Sequence, residues 1–72
     1  MIRGREEHLA WAKKRALEYV DTGDLNGALV SMISDLGKHR ELGCSPMLMQ
    51  LGLMRVKNRD MEGVRAWVNG FN

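Results

Sequence analysis

The sequence predicts an all-α domain of four short helices, paired as two stacked helical hairpins with the third helix at the centre. Three observations predict it. Apolar residues recur at helical spacing, most clearly at Leu25, Ala28, Leu29, Met32, Ile33 and Leu36. Glycine, Asp and a Ser-Pro pair stand where helices stop and start. Finally, the segment Asp24-Leu25-Asn26-Gly27-Ala28 returns as Asp60-Met61-Glu62-Gly63-Val64, 36 residues later.

The first helix is expected over 5–21, after a frayed start at residues 1–4. Glu6 and Glu7 sit in its first turn, where the helix dipole favours anions. Leu9, Ala12, Ala16, Tyr19 and Val20 form its buried stripe, widened by Ala10 and Leu17; the alanines allow another helix to approach closely. Gly23 is the expected left-handed terminator, and Thr22 or Asp24 caps the next helix. That second helix, over 24–38, leaves Asn26, Gly27, Val30, Ser31, Ser34 and Asp35 outside its stripe, and ends at Gly37 among Lys38, His39 and Arg40.

Residues 39–45 read as a polar linker with a solvated His39. The third helix, over 46–57, opens with Ser45 as N-cap and Pro46 at the first position, where a missing N–H costs nothing. Met47, Leu51 and Met54 share one face, Leu48 lies beside them, Leu53 is on the far flank, and Met49 and Val56 are opposite. A helix apolar all round requires cover on several sides, hence its expected central place, or half of a subunit interface. The fourth helix, over 60–69, buries Met61, Val64, Trp67 and Val68 with Phe71 tucked in behind; Arg59, Glu62, Arg65 and Asn69 face water.

Seventy-two residues make one domain, 1–72, with a thin core. A chain this short buries about 60% of its unfolded surface, and such a core supplies roughly 3–5 kcal/mol. Dimerisation is one way to add to that. Cys44 is the only cysteine, so no internal disulfide forms and a reducing, cytoplasmic setting is expected. The N-terminus has early positive charge but no apolar run after it, so it does not read as a signal peptide. No apolar stretch reaches the roughly 20 residues a membrane span needs. Eleven Lys and Arg against nine Asp and Glu give +2, weakly basic rather than the concentrated patch that non-specific nucleic-acid binding uses.

No metal-ligand spacing, paired carboxylates, phosphate loop or nucleophile elbow is present. Cys44 precedes a helix N-terminus, which would stabilise a thiolate, but neither His8 nor His39 brings an acid–base constellation to it. The chain therefore reads as a non-enzyme without cofactor or metal. Trp11 lies opposite the apolar stripe of its helix, among His8, Arg15 and Glu18. Trp and Arg are enriched at interface hot spots; the alternative is that the C-terminal end of the chain folds back over the ring. The leading reading is a protein–protein interaction module whose contact surface comprises His8, Trp11, Lys14, Arg15 and Glu18, joined by Arg65 and Trp67. A second reading is a nucleic-acid-binding helix–turn–helix using Lys13-Lys14-Arg15, Lys38-His39-Arg40 and Arg55, Lys57 and Arg59, although the second helix offers no outward Arg or Lys to read bases. A third is a homo-oligomer joined through the Met-rich third helix.

The repeated unit, a helix, an acidic turn with Gly three residues on, and an amphipathic helix, resembles tetratricopeptide repeats, whose period is about 34 residues. It departs from them at Arg59, where the second glycine would stand, and in having two copies. Over nearly its full length the chain is also similar to small accessory proteins of tailed bacteriophages of actinobacteria. The residues concerned are His8-Leu9-Ala10-Trp11, Arg15-Ala16-Leu17-Glu18-Tyr19, Ser31-Met32-Ile33-Ser34-Asp35-Leu36 with Lys38-His39, and Gly70-Phe71-Asn72. That resemblance implies a phage-encoded adaptor or inhibitor directed at a host protein, and supplies no site.

Overall fold

A computed structural model describes residues 4–39 and 41–72; the expected fraying of the first residues therefore falls mostly outside the described residues, as does Arg40. The described chain is all-α: α1 (Arg5–Asp21), α2 (Leu25–Leu36), α3 (Pro46–Lys57) and α4 (Met61–Asn69). Each boundary has a local cause. Asp24 and Asp60 cap α2 and α4 by accepting the backbone N–H of Gly27 and Gly63, and the Ser45 side chain accepts from Leu48 N–H at the start of α3. Gly27 and Gly63 leave room for the capping carboxylates, which a Cβ at either position would strike.

The sequence repeat is a repeat of geometry. After α1, Gly23 N–H reaches Val20 O and Asp24 N–H reaches Tyr19 O; after α3, Arg59 N–H reaches Val56 O and Asp60 N–H reaches Arg55 O. Both ends are Schellman turns, which need a left-handed residue at the C′ position. Gly23 supplies it at φ 82°, and Arg59 is forced into it at φ 54°. The capping residue next in the chain has φ −90°, ψ 78° in one copy and φ −88°, ψ 84° in the other.

The two hairpins pack reciprocally. α1 lies against α4, α2 against α3, and α2 and α4 against each other. Val20, Ala28 and Val64 meet at their junction with Val56 packed alongside, so each hairpin contributes the same two repeat positions. The larger core joins Leu9, Ala12 and Ala16 of α1 to Leu29, Met32 and Leu36 of α2 and Trp67 and Val68 of α4. Lys13 and Arg5 of α1 tie down the end of α4 by donating to the carbonyls of Asn69 and Asn72.

The expected central place of the third helix is overturned. The shortest dimension of the molecule is 16 Å, room for two helix layers at the usual spacing of roughly 8–10 Å, so no helix is enclosed. α3 lies at the edge, and Gly52 is its only buried residue. Its smallest residue lets it sit close to Trp67 and Leu29, and this turns Met47, Leu51 and Met54 outward. Other side chains also depart from the expected pattern. Tyr19 and Ala10 are exposed, whereas His8, Ser31 and Asp35 are buried. No helix among the described residues is long and apolar enough to cross a membrane.

Candidate interaction surface

The residues expected to form a contact surface on α1 are divided by the structure. His8 is buried, and its Nε2–H donates to the carbonyl of Asp35 at 2.6 Å, which fixes the tautomer because a carbonyl only accepts. Trp11 is half-buried, tilted against the His8 ring at 5.1 Å, with the Arg15 guanidinium 5.0 Å and the Lys38 ammonium 5.7 Å from its ring centre. These contacts come from α1 itself and from Lys38 just beyond α2, whereas the C-terminal Phe71 stands edge-on to Trp67 at 5.0 Å. Arg15 Nε also donates to Asp35 Oδ2 at 2.7 Å. Lys14 and Glu18 are exposed. Arg65 is half-buried and pairs with Asp21 at 3.0 Å. Trp67 is buried and donates its indole N–H to the carbonyl of Leu48 at 2.9 Å. His8 and Trp67 are thus structural, because both reach backbone carbonyls of neighbouring helices. The seven residues do not form one outward patch.

Asp35 organises the α1–α2 end. Its carboxylate also accepts from Lys38 Nζ at 3.1 Å and Ser31 Oγ at 3.3 Å. Burial pushes its pKa up, but hydrogen bonds from Lys38 and Arg15, together with their positive charge, outweigh this and hold it below the ordinary 3.8. His39 is half-buried, tilted against His8 at 5.2 Å, and its Nδ1 accepts from Glu41 N–H. The expected solvated linker histidine is part of this cluster. Cys44 is half-buried against the core, and burial pushes its thiol up; the expected thiolate stabilisation is not seen, and the helix start is capped by Ser45. Among the described residues no group of three His, Cys, Asp or Glu is placed to hold a metal.

The large exposed apolar residues gather on α3. Met47 is 80% exposed and Met54 60%, with Leu48, Leu51 and Leu53 near 40%. Leu48 and Leu51 also line an open groove of about 490 Å³ between α3 and α4, with Trp67 and Phe71 in its wall and Arg55 at one side. Arg55 Nη1 donates to the carbonyl of Gly63 at 2.8 Å, which anchors the guanidinium there. Single exposed apolar residues are ordinary; a contiguous set beside a groove marks an interaction site.

The repeat gives this groove a counterpart. A second groove of about 470 Å³ lies between α1 and α2, lined by Arg15, Tyr19, Val30, Ser31, Ser34 and Asp35 among others. Shifted by the repeat, those six positions are Leu51, Arg55, Ala66, Trp67, Gly70 and Phe71, all of which line the first groove. The same concavity is therefore built twice. In the first hairpin it is bridged by the Arg15–Asp35 ion pair; in the second, Leu51 and Phe71 take those places and leave it apolar. Sequence reasoning missed the α3–α4 groove because it put the apolar face of α3 inside. The signal available was Gly52, the one position on α3 small enough for close helix contact. Compared with models of protein families, with curated proteins and with solved structures, the chain matches none of them.

Proposed function

We propose that the chain is a small non-enzymatic protein–protein interaction module whose contact surface is the exposed flank of α3 and the groove beside it. The observation that carries this reading is the outward run of Met47, Leu51 and Met54, at i, i+4 and i+7, alongside a groove walled by Trp67 and Phe71. A helical segment of another protein is the fitting occupant, because an amphipathic helix lays its apolar face into a groove with apolar walls such as Leu48, Leu51, Trp67 and Phe71. The resemblance to phage accessory proteins read from the sequence alone would make the partner a host protein in the cytoplasm, with the chain as adaptor or inhibitor.

The alternatives have less support. A second copy of the chain would bring Arg55 and Lys57 to a helix that has no carboxylate, since α3 contains neither Asp nor Glu. Nucleic-acid binding would draw on cations already engaged: Lys13 with Asn69 O, Arg15 and Lys38 with Asp35, and Arg55 with Gly63 O.

The test is affinity capture from host lysate by wild type, Leu51→Glu and Trp11→Ala, with the captured protein then purified and rebound one to one. A partner that binds wild type and is lost by a folded Leu51→Glu supports the reading. Loss by a folded Trp11→Ala with full retention by Leu51→Glu would return the contact surface to α1 and overturn it.

A further inference from the structure

Resting on the docking surface proposed above, we infer that Met47 and Met54 are a pair of oxidation sites, and that hydrogen peroxide closes that surface by converting them to sulfoxides. They stand apart from the other methionines of the described residues. Met47 is 80% exposed and Met54 60%, against 40% for Met61, a half-buried Met49 and a fully buried Met32. Seven residues apart on α3, the two lie on one face with Leu51 between them. Neither belongs to an apolar core cluster, so an oxygen added to each displaces no core packing.

The one thiol is shielded. Cys44 is half-buried against the core, and burial pushes its thiol up, so little of the thiolate that attacks a peroxide is present. A thioether needs no deprotonation. Its sulfur lone pair attacks one peroxide oxygen and the O–O bond breaks. The products are a sulfoxide and water, two electrons having passed from sulfur to peroxide. The step turns a flexible apolar side chain into a polar one. Met47 and Met54 border the groove rather than line it, so oxidation acts on the flank that a docked helix must also cover. A sulfoxide oxygen covered by apolar anchors loses its water and gains no donor, which opposes docking. Methionine sulfoxide reductases, one for each epimer, reverse the step; two thiols become a disulfide as the oxygen leaves in water.

The experiment treats the full chain with graded hydrogen peroxide and maps the oxidised positions by peptide mass spectrometry, with circular dichroism as the check on the fold. Met47 and Met54 are expected to oxidise before Met49, Met61 and Cys44, and roughly tenfold or more faster than Met32, with helicity retained. Fluorescence anisotropy of a labelled helical peptide carrying leucines at i, i+4 and i+7 then compares the reduced and oxidised chains. Binding should weaken roughly tenfold or more on oxidation and return after treatment with both reductases. In the Met47→Leu, Met54→Leu double variant peroxide should leave binding unchanged, which accounts for every other methionine. Earlier oxidation of Met32, Met49, Met61 or Cys44 would overturn the assignment of the sites, as would loss of helicity once Met47 and Met54 are oxidised. Equal binding by the reduced and oxidised chains, or a weakening that persists in the leucine variant, would overturn the closure and leave the docking surface standing. A peptide bound by neither form would overturn the docking surface and the closure together.

Discussion

Replacing Gly52 by Ala tests the packing that exposes the α3 face. Two effects oppose each other. Ala is favoured over Gly inside a helix by about 1 kcal/mol. Against this, a Cβ at position 52 would lie 2.7 Å from Trp67 Cε2 and 2.8 Å from Leu29 Cδ1 and Trp67 Cζ2. Carbon atoms in contact prefer about 3.5–4.0 Å, so its neighbours must retreat by roughly 0.8 Å. The Leu29 methyl can rotate aside. The Trp67 ring is less free, being buried and tied through its indole N–H to Leu48 in α3 itself. Overpacking a closed contact costs about 1–3 kcal/mol, and the steric side should win. The expected result is a net loss of up to about 2 kcal/mol, seen in thermal unfolding by circular dichroism as a melting temperature lowered by roughly 4–8 °C per kcal/mol. Tryptophan emission should shift as the ring moves. A variant that melts at or above the wild-type temperature would refute the reasoning, since α3 would then not be docked through Gly52.

The turns and Asp35 give further expected outcomes. Arg59 occupies the left-handed region, costly for a residue with a Cβ, so Arg59→Gly should raise stability by about 1 kcal/mol, while Gly23→Ala should lower it by a similar amount; denaturant titration checks both. The pKa of Asp35 is lowered in the folded state, so its contribution is complete above the unfolded value and lost as pH falls through the folded one. Acid titration should therefore show a loss of stability beginning at about pH 4 that is reduced in Asp35→Asn. Asp35→Ala should cost about 1–3 kcal/mol, below the range for fully buried pairs, because Arg15 and Lys38 are 45% and 57% exposed and can rehydrate. Met54→Gln should leave stability within about 0.5 kcal/mol of wild type in the same thermal assay, as suits an exposed site.

The parts of the fold that were legible in the sequence are those with local causes. The capping residues and the glycine of the first turn placed the helix ends within a residue or two, and the repeated Asp-x-x-Gly gave matching turns. What was not legible depended on direction. A helix apolar on every side has no preferred face to read, so the inward side of α3 was decided by the close approach at Gly52 rather than by hydrophobicity. Polar residues were misplaced for a related reason: His8 is buried because its ring N–H reaches the backbone carbonyl of Asp35, 27 residues on, and the Asp35 carboxylate is buried because Arg15, Ser31 and Lys38 donate to it, and none of these positions alone announces it. Trp11 is polar-flanked in sequence and half-buried in space, where His8 and Arg15 of its own helix and Lys38 from just beyond α2 lie against it.

The paired grooves also fix valency. Both hairpins have the concavity, yet the Arg15–Asp35 bridge occupies one, and the other is walled mainly by apolar side chains. If the chain docks a partner as proposed, it engages one segment at a time. It would then terminate or block an assembly, having no second equivalent socket among the described residues through which to extend one, and a binding titration through this groove should reach its end point at a stoichiometry of one.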